Sequence, residues 1–205
     1  MVKKYGSVLS ADASNYGEAI KKIEDMKFDG LHFDIMDGHF VKNFAFNAQI
    51  ISSLRKITRL PFGTHLEIED PGEYIEMFID AGSDIITFHP QASSSVERDL
   101  RLIRARGVLS SIAIDPDIKA LQFEKYFPLV DNIIVMSVYP GFGEQGFISS
   151  SLKKIKEIKE SITGRGLDIS ISIDGSINDK TSGPAIESGA DILIYGSSIF
   201  KNKET

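Results

Sequence analysis

Eight short runs of apolar and β-branched residues recur along this chain: KYGSVL, GLHFDI, PFGTHLE, DIITFH, LSSIAI, NIIVMSV, DISISI and DILIYG. Between them lie stretches whose apolar residues return every three or four positions: Tyr16 to Met26, Ala48 to Ile57, Gly72 to Ala81, Val96 to Ala105, Leu121 to Phe127, Leu152 to Ile162 and Thr181 to Ser188. Apolar residues at that spacing give a helix one buried face, whereas a short apolar run bounded by turn residues suits a buried strand. Strands and helices in strict alternation build a parallel sheet with right-handed crossovers. Eight such units point to an α/β fold of the (β/α)8 TIM barrel type, with a doubly wound open sheet as the alternative that shares the alternation.

A chain of 205 residues is long enough to bury a barrel core as one unit, and no linker or low-complexity stretch divides it, so a single (β/α)8 domain is expected over 1–205. After ILIYGSSIF only KNKET remains, so the last outer helix is expected to be shortened or missing. An incomplete outer ring would leave apolar surface uncovered, and a homo-oligomer is the expected remedy. No run approaches the length of a membrane span, and MVKKYGS has no apolar segment behind its lysines, which predicts a cytoplasmic protein. A net charge of −6 with no basic run argues against nucleic acid and anionic membrane as partners. The absence of cysteine removes disulfides, thiolate metal sites and thiol nucleophiles, so any metal must be held by histidine and carboxylate.

Polar residues gather where strands end. In HFDIMDGHF, His32 and Asp34 are two apart and share one side of the second strand; His65 holds the equivalent place on the third and Asp174 on the seventh. The carboxyl ends of barrel strands open into the active-site mouth, so two imidazoles and two carboxylates can converge there on one divalent ion, Zn, Fe, Mn or Co. The plainer reading gives each histidine a hydrogen bond and each aspartate a helix cap; four matching placements on three strands favour the metal. Asp37 and His39 lie past the strand and suit a turn and a supporting contact, and His89 in ITFHP suits hydrogen bonding near the mouth. Three glycine-containing loops, YPGFGEQGF, IDGSIN and YGSSIF, follow the last three strands, the usual phosphate place of such barrels, where Ser197 and Ser198 can add hydroxyl donors.

HFDIMDGHFV, GTHLEI, FHP, MSVYPGFGEQGFI, SIDGSI and YGSSIF, with SVLSAD at the start, resemble in order the motifs of the ribulose-phosphate 3-epimerase family, from about residue 5 to residue 200. The resemblance implies a metal-dependent epimerase that inverts C3 of a ketose phosphate, interconverting ribulose 5-phosphate and xylulose 5-phosphate. It implies one divalent metal ion as cofactor, held by His32, Asp34, His65 and Asp174, with Asp34 and Asp174 as the catalytic acid/base pair on opposite faces of C3. His65 and Asp174 would also border the substrate. The phosphate would lie against Gly141, Phe142, Gly143, Glu144, Gly175, Ser176, Gly196 and Ser197, with Ser7 near the substrate and Met36 and Met136 as apolar cover.

Several positions depart from the family pattern. Gly6 and Lys42 stand where proline is usual, Glu67 where methionine is, Tyr139 and Asp115 where asparagine is frequent, and Glu144 where a glycine approaches the phosphate. An anionic side chain beside a phosphate is unfavourable unless it turns outward or meets a cation. Three other readings therefore stand beside the leading one. The DGHFV and DGSIN motifs also resemble the allulose-6-phosphate 3-epimerase branch, which acts on a hexulose phosphate. Decarboxylase relatives carry D-x-K-x-x-D, but here Asp34-Ile-Met-Asp37 has methionine in place of lysine. The last is a divergent sugar-phosphate-binding barrel without turnover.

Overall fold

The computed structural model describes residues 1–200. Eight strands are parallel to their neighbours: β1 (Lys3–Ser7), β2 (Gly30–Asp37), β4 (Phe62–Glu67), β5 (Ile85–Phe88), β6 (Leu109–Ile114), β7 (Asn132–Met136), β8 (Ser170–Asp174) and β9 (Ile192–Tyr195). They run β1-β9-β8-β7-β6-β5-β4-β2, and β1 pairs back onto β2, so the sheet closes into a barrel. The ninth strand, β3 (Phe44–Ala45), adds two antiparallel pairs to the exit of β2, Met36 with Ala45 and Asp37 with Phe44. Outside the ring lie α1 (Tyr16–Asp25), α2 (Ala48–Arg55), α3 (Ile75–Asp80), α4 (Val96–Ala105), α5 (Ser150–Gly164), α6 (Ser182–Ser188) and α7 (Ser197–Phe200). The expected shortening of the last outer helix meets a single turn, α7, at the end of the described residues.

Alternation along each strand divides the molecule into two apolar layers. On β2, Leu31, Phe33 and Ile35 face outward into the large core beneath the helices, with Phe62, Leu66 and Phe88 from the neighbouring strands. A smaller cluster of Tyr5, Ile85, Ala113, Ile134, Met136, Ile192 and Ile194 fills the inside of the ring. Successive residues point to opposite faces of a strand, so His32, Asp34 and Met36 must turn inward when Leu31, Phe33 and Ile35 turn outward. The lower interior also holds a polar network of side chains: Asn132 donates to Ser111 Oγ at 3.0 Å and accepts from Ser170 and Ser172 at 3.0 and 2.8 Å.

Local signals explain the boundaries. The side chain of Asn15 accepts from the Glu18 amide at the start of α1, and Asn47 does the same for Ile50 at the start of α2. Gly189, at φ +109°, ends α6 in a left-handed turn. One expected helix is different: over Leu121 to Phe127 the chain forms a 3-10 helix at Glu124–Leu129 instead. Pro128 lies inside it and has no N–H to donate, which disfavours a regular α-helix there.

Candidate active site and metal centre

Register brings the four strand-end residues together. Asp34 sits beside His65 in the β2–β4 pairing, and Ser7 sits beside His32 in the β1–β2 pairing. Asp174 comes from β8, with β9 and β1 between it and β2 around the ring. His32 Nε2 lies 3.0 Å from Asp34 Oδ1 and 3.4 Å from Asp174 Oδ2. His65 Nδ1 lies 3.3 Å from Asp34 Oδ1 and 4.0 Å from Asp174 Oδ2. One ligand atom from each of His32, Asp34, His65 and Asp174 falls within 4.8 Å of every other, so these four residues could hold a metal ion. The donor set of two imidazoles and two carboxylates suits a borderline divalent cation.

The electrostatics of the cluster arise from burial and neighbours. Burial opposes charge on His32, but Asp34 and Asp174 outweigh it and hold the ring's pKa up to about 10. Burial likewise opposes charge on Asp34, yet His32 and His65 together pull its pKa below the usual carboxylate range. His65 is pushed down, first by burial and then by the adjacent His89 and His32 against the pull of Asp34. The hydroxyl of Ser7 donates to Asp34 Oδ2 at 2.9 Å, which leaves Oδ1 to the two imidazoles.

Above the cluster opens a cleft, partly open to solvent. Its floor is Asp34 and Asp174, its walls include Ser7, Met36 and Met136, and its rim is formed by Gly141, Phe142, Gly143 and Glu144 on one loop, Gly175 and Ser176 on the next, and Gly196 and Ser197 on the last. Every substrate-side residue expected from sequence borders this cleft except His65, which lies fully buried beneath it. Glu144 is exposed and adopts φ +61°. Gly175, at φ +113°, is required as glycine: a Cβ there would come within 2.8 Å of the Val138 backbone nitrogen. Ser198 lies apart from the cleft, its hydroxyl donating to the Ile177 carbonyl at 2.8 Å.

The remaining polar residues near the ends of β2 and β5 play separate parts. Asp37 is a turn former, accepting from the amides of His39, Phe40 and Glu69 at 2.8, 3.0 and 2.9 Å. His39 is exposed, its ring 3.1 Å from the Asp37 carbonyl. His89 is fully buried, with Nε2 2.8 Å from His65 Nε2 and its ring stacked on His65 at 4.9 Å. Its other nitrogen stands 2.8 Å from Asp115 Oδ1, close in distance but out of line for a hydrogen bond.

Glu67 stands where the family pattern has an apolar lining residue, and here it puts a carboxylate into the lining. It is only 2% exposed, lines the cleft, and puts Oε1 3.8 Å from His65 Nδ1. Burial, then Asp34 and Asp174, push its carboxyl well above the usual range. The signal was available in the strand alternation, since Glu67 is two residues beyond His65 and must share its inward face.

Comparison with known proteins finds matches in both sequence and fold. The Ribulose-phosphate 3 epimerase family matches residues 5–200. The chain is 39% identical over 201 residues to the ribulose-phosphate 3-epimerase of Bacillus subtilis (strain 168), covering 98% of this chain and 93% of that one. It is 36% identical over 195 residues to the ribulose-phosphate 3-epimerase of Escherichia coli (strain K12), covering 95% and 87%. Among solved structures, a mutant tryptophan synthase alpha-subunit from Pyrococcus furiosus superposes with a TM-score of 0.71 over 97% of this chain and 89% of its own, at 11% identity, a likeness of fold alone.

Proposed function

Because the chain belongs to the ribulose-phosphate 3-epimerase family, and so is an isomerase acting on a pentose phosphate, we propose that Asp34 and Asp174 invert C3 of D-ribulose 5-phosphate as an acid/base pair beside one divalent ion. The observation that carries this reading is the approach of two carboxylates from separate strands to a single imidazole nitrogen, at 3.0 and 3.4 Å. Inversion needs a proton removed on one face of a carbon and returned on the other. One carboxylate from β2 and one from β8 supply a base and an acid on two sides of one small volume.

His32, Asp34, His65 and Asp174 would hold the ion. When bound, it supplies electrostatic stabilisation for the negative charge that develops on the substrate oxygens as the proton leaves. The remaining work belongs to the chain. Ser7 fixes one oxygen of Asp34 and so the direction of its other. Asp34 takes the C3 proton, Asp174 returns one from the opposite side, and the roles exchange in the reverse reaction. Met36 and Met136, both buried, keep water from the reacting carbon. The glycine-containing rim from Gly141 to Glu144, with Gly175, Ser176, Gly196 and Ser197, grips the phosphate and thereby holds C3 between the carboxylates.

The test is exchange of the C3 proton with solvent deuterium, run with metal-loaded protein on ribulose 5-phosphate and on allulose 6-phosphate. Exchange with the pentulose phosphate is expected; exchange with neither sugar rejects the mechanism, and exchange with the hexulose phosphate alone moves the substrate to six carbons. Asp174→Asn is expected to lower turnover by about 10²–10⁴-fold with an unchanged circular dichroism spectrum. A variant close to the wild-type rate removes Asp174 from the chemistry.

A further inference from the structure

We propose that Glu67 is a third carboxylate of the metal centre, which adds a hard, anionic oxygen to the set of His32, Asp34, His65 and Asp174. The inference rests on the metal reading of the site and extends it to a residue outside the four. Three observations carry it. Glu67 Oε1 stands 3.8 Å from His65 Nδ1, the same nitrogen that faces Asp34 at 3.3 Å and Asp174 at 4.0 Å. Glu67 Oε2 is buried and has no hydrogen-bond partner among the described residues. Glu67, His65 and His89 form a second group whose ligand atoms all fall within 4.8 Å of one another; Glu67 shares His65 with the first group without lying within that range of all four of its members.

A carboxyl group taken out of water needs donors or a cation, and leaving one oxygen of it unpaired is costly. The His65 Nδ1 that Glu67 Oε1 faces stands 3.8 Å away, beyond hydrogen-bond reach, and already faces Asp34 Oδ1 at 3.3 Å. A divalent ion in the cluster would answer that need. The chemical consequence is a harder site. Three carboxylates with two imidazoles favour oxygen-loving Mn²⁺ relative to Zn²⁺ more than two carboxylates with two imidazoles do.

The experiment strips the full chain of metal by chelation and titrates it with Mn²⁺ and with Zn²⁺, beside Glu67→Gln and Glu67→Met. Glutamine keeps the shape and removes the charge; methionine fills the space without a hard ligand. Both variants are expected to bind Mn²⁺ about 10–100-fold more weakly than wild type, the loss typical of disturbing a metal's surroundings, and to lose less for Zn²⁺. Melting temperatures of the metal-free variants at or above wild type establish that they are folded. If wild type binds Mn²⁺ and both variants match it within about twofold, Glu67 is no ligand. If wild type binds neither ion, the metal reading itself fails and this inference falls with it.

Discussion

On the proposed reading, His32 is the residue on which proton and metal would compete. Its imidazolium, held between Asp34 and Asp174 with a pKa of about 10, occupies the place a cation would take. A ligating histidine must be neutral, so the ion has to expel that proton. Metal affinity should therefore rise with pH across the neutral range, by up to about tenfold per unit, and level off near pH 10. Calorimetric titration with Zn²⁺ in two buffers of different ionisation heat counts the protons released; a count near zero at pH 7 removes the imidazolium from the site. What sequence shows of this site is the part carried by strand spacing. His32, Asp34, His65 and Asp174 are legible because residues two apart share a face. The His65–His89–Asp115 contacts are not, because they depend on the stagger of β4, β5 and the exit of β6, which no short motif encodes.

Among the elements, the eight barrel strands are legible because each is an apolar run too short for a helix and bounded by turn residues. The two-residue β3 and the 3-10 turns at Pro71–Glu73 and Pro90–Ala92 are too short to show any periodicity. Glycine at the strand entry has a packing reason of its own. A Cβ on Gly30 would fall 2.5–2.8 Å from ring atoms of Tyr5, which fills the barrel interior from β1. Gly30→Ala is thus expected to cost about 1–3 kcal/mol, the usual penalty of overpacking, read as a lower urea midpoint at unchanged slope. A midpoint equal to wild type would mean that Tyr5 has room to shift.

For the whole molecule, the decisive arrangement is the junction where β1 meets β2. The proposed acid/base pair straddles it: Asp34 lies on β2, at one margin of an unrolled sheet, and Asp174 on β8, three strands away across the junction. A half-zipped cylinder keeps His32, Asp34 and His65 together on paired strands but leaves Asp174 toward the far margin. On the proposed reading an ion gains its fourth ligand, and so its full hold, only after the last edge has found its mate. Saturating Mn²⁺ should slow the unfolding limb in stopped-flow denaturation while leaving the refolding limb where it was, since a contact missing from the transition state protects only against escape.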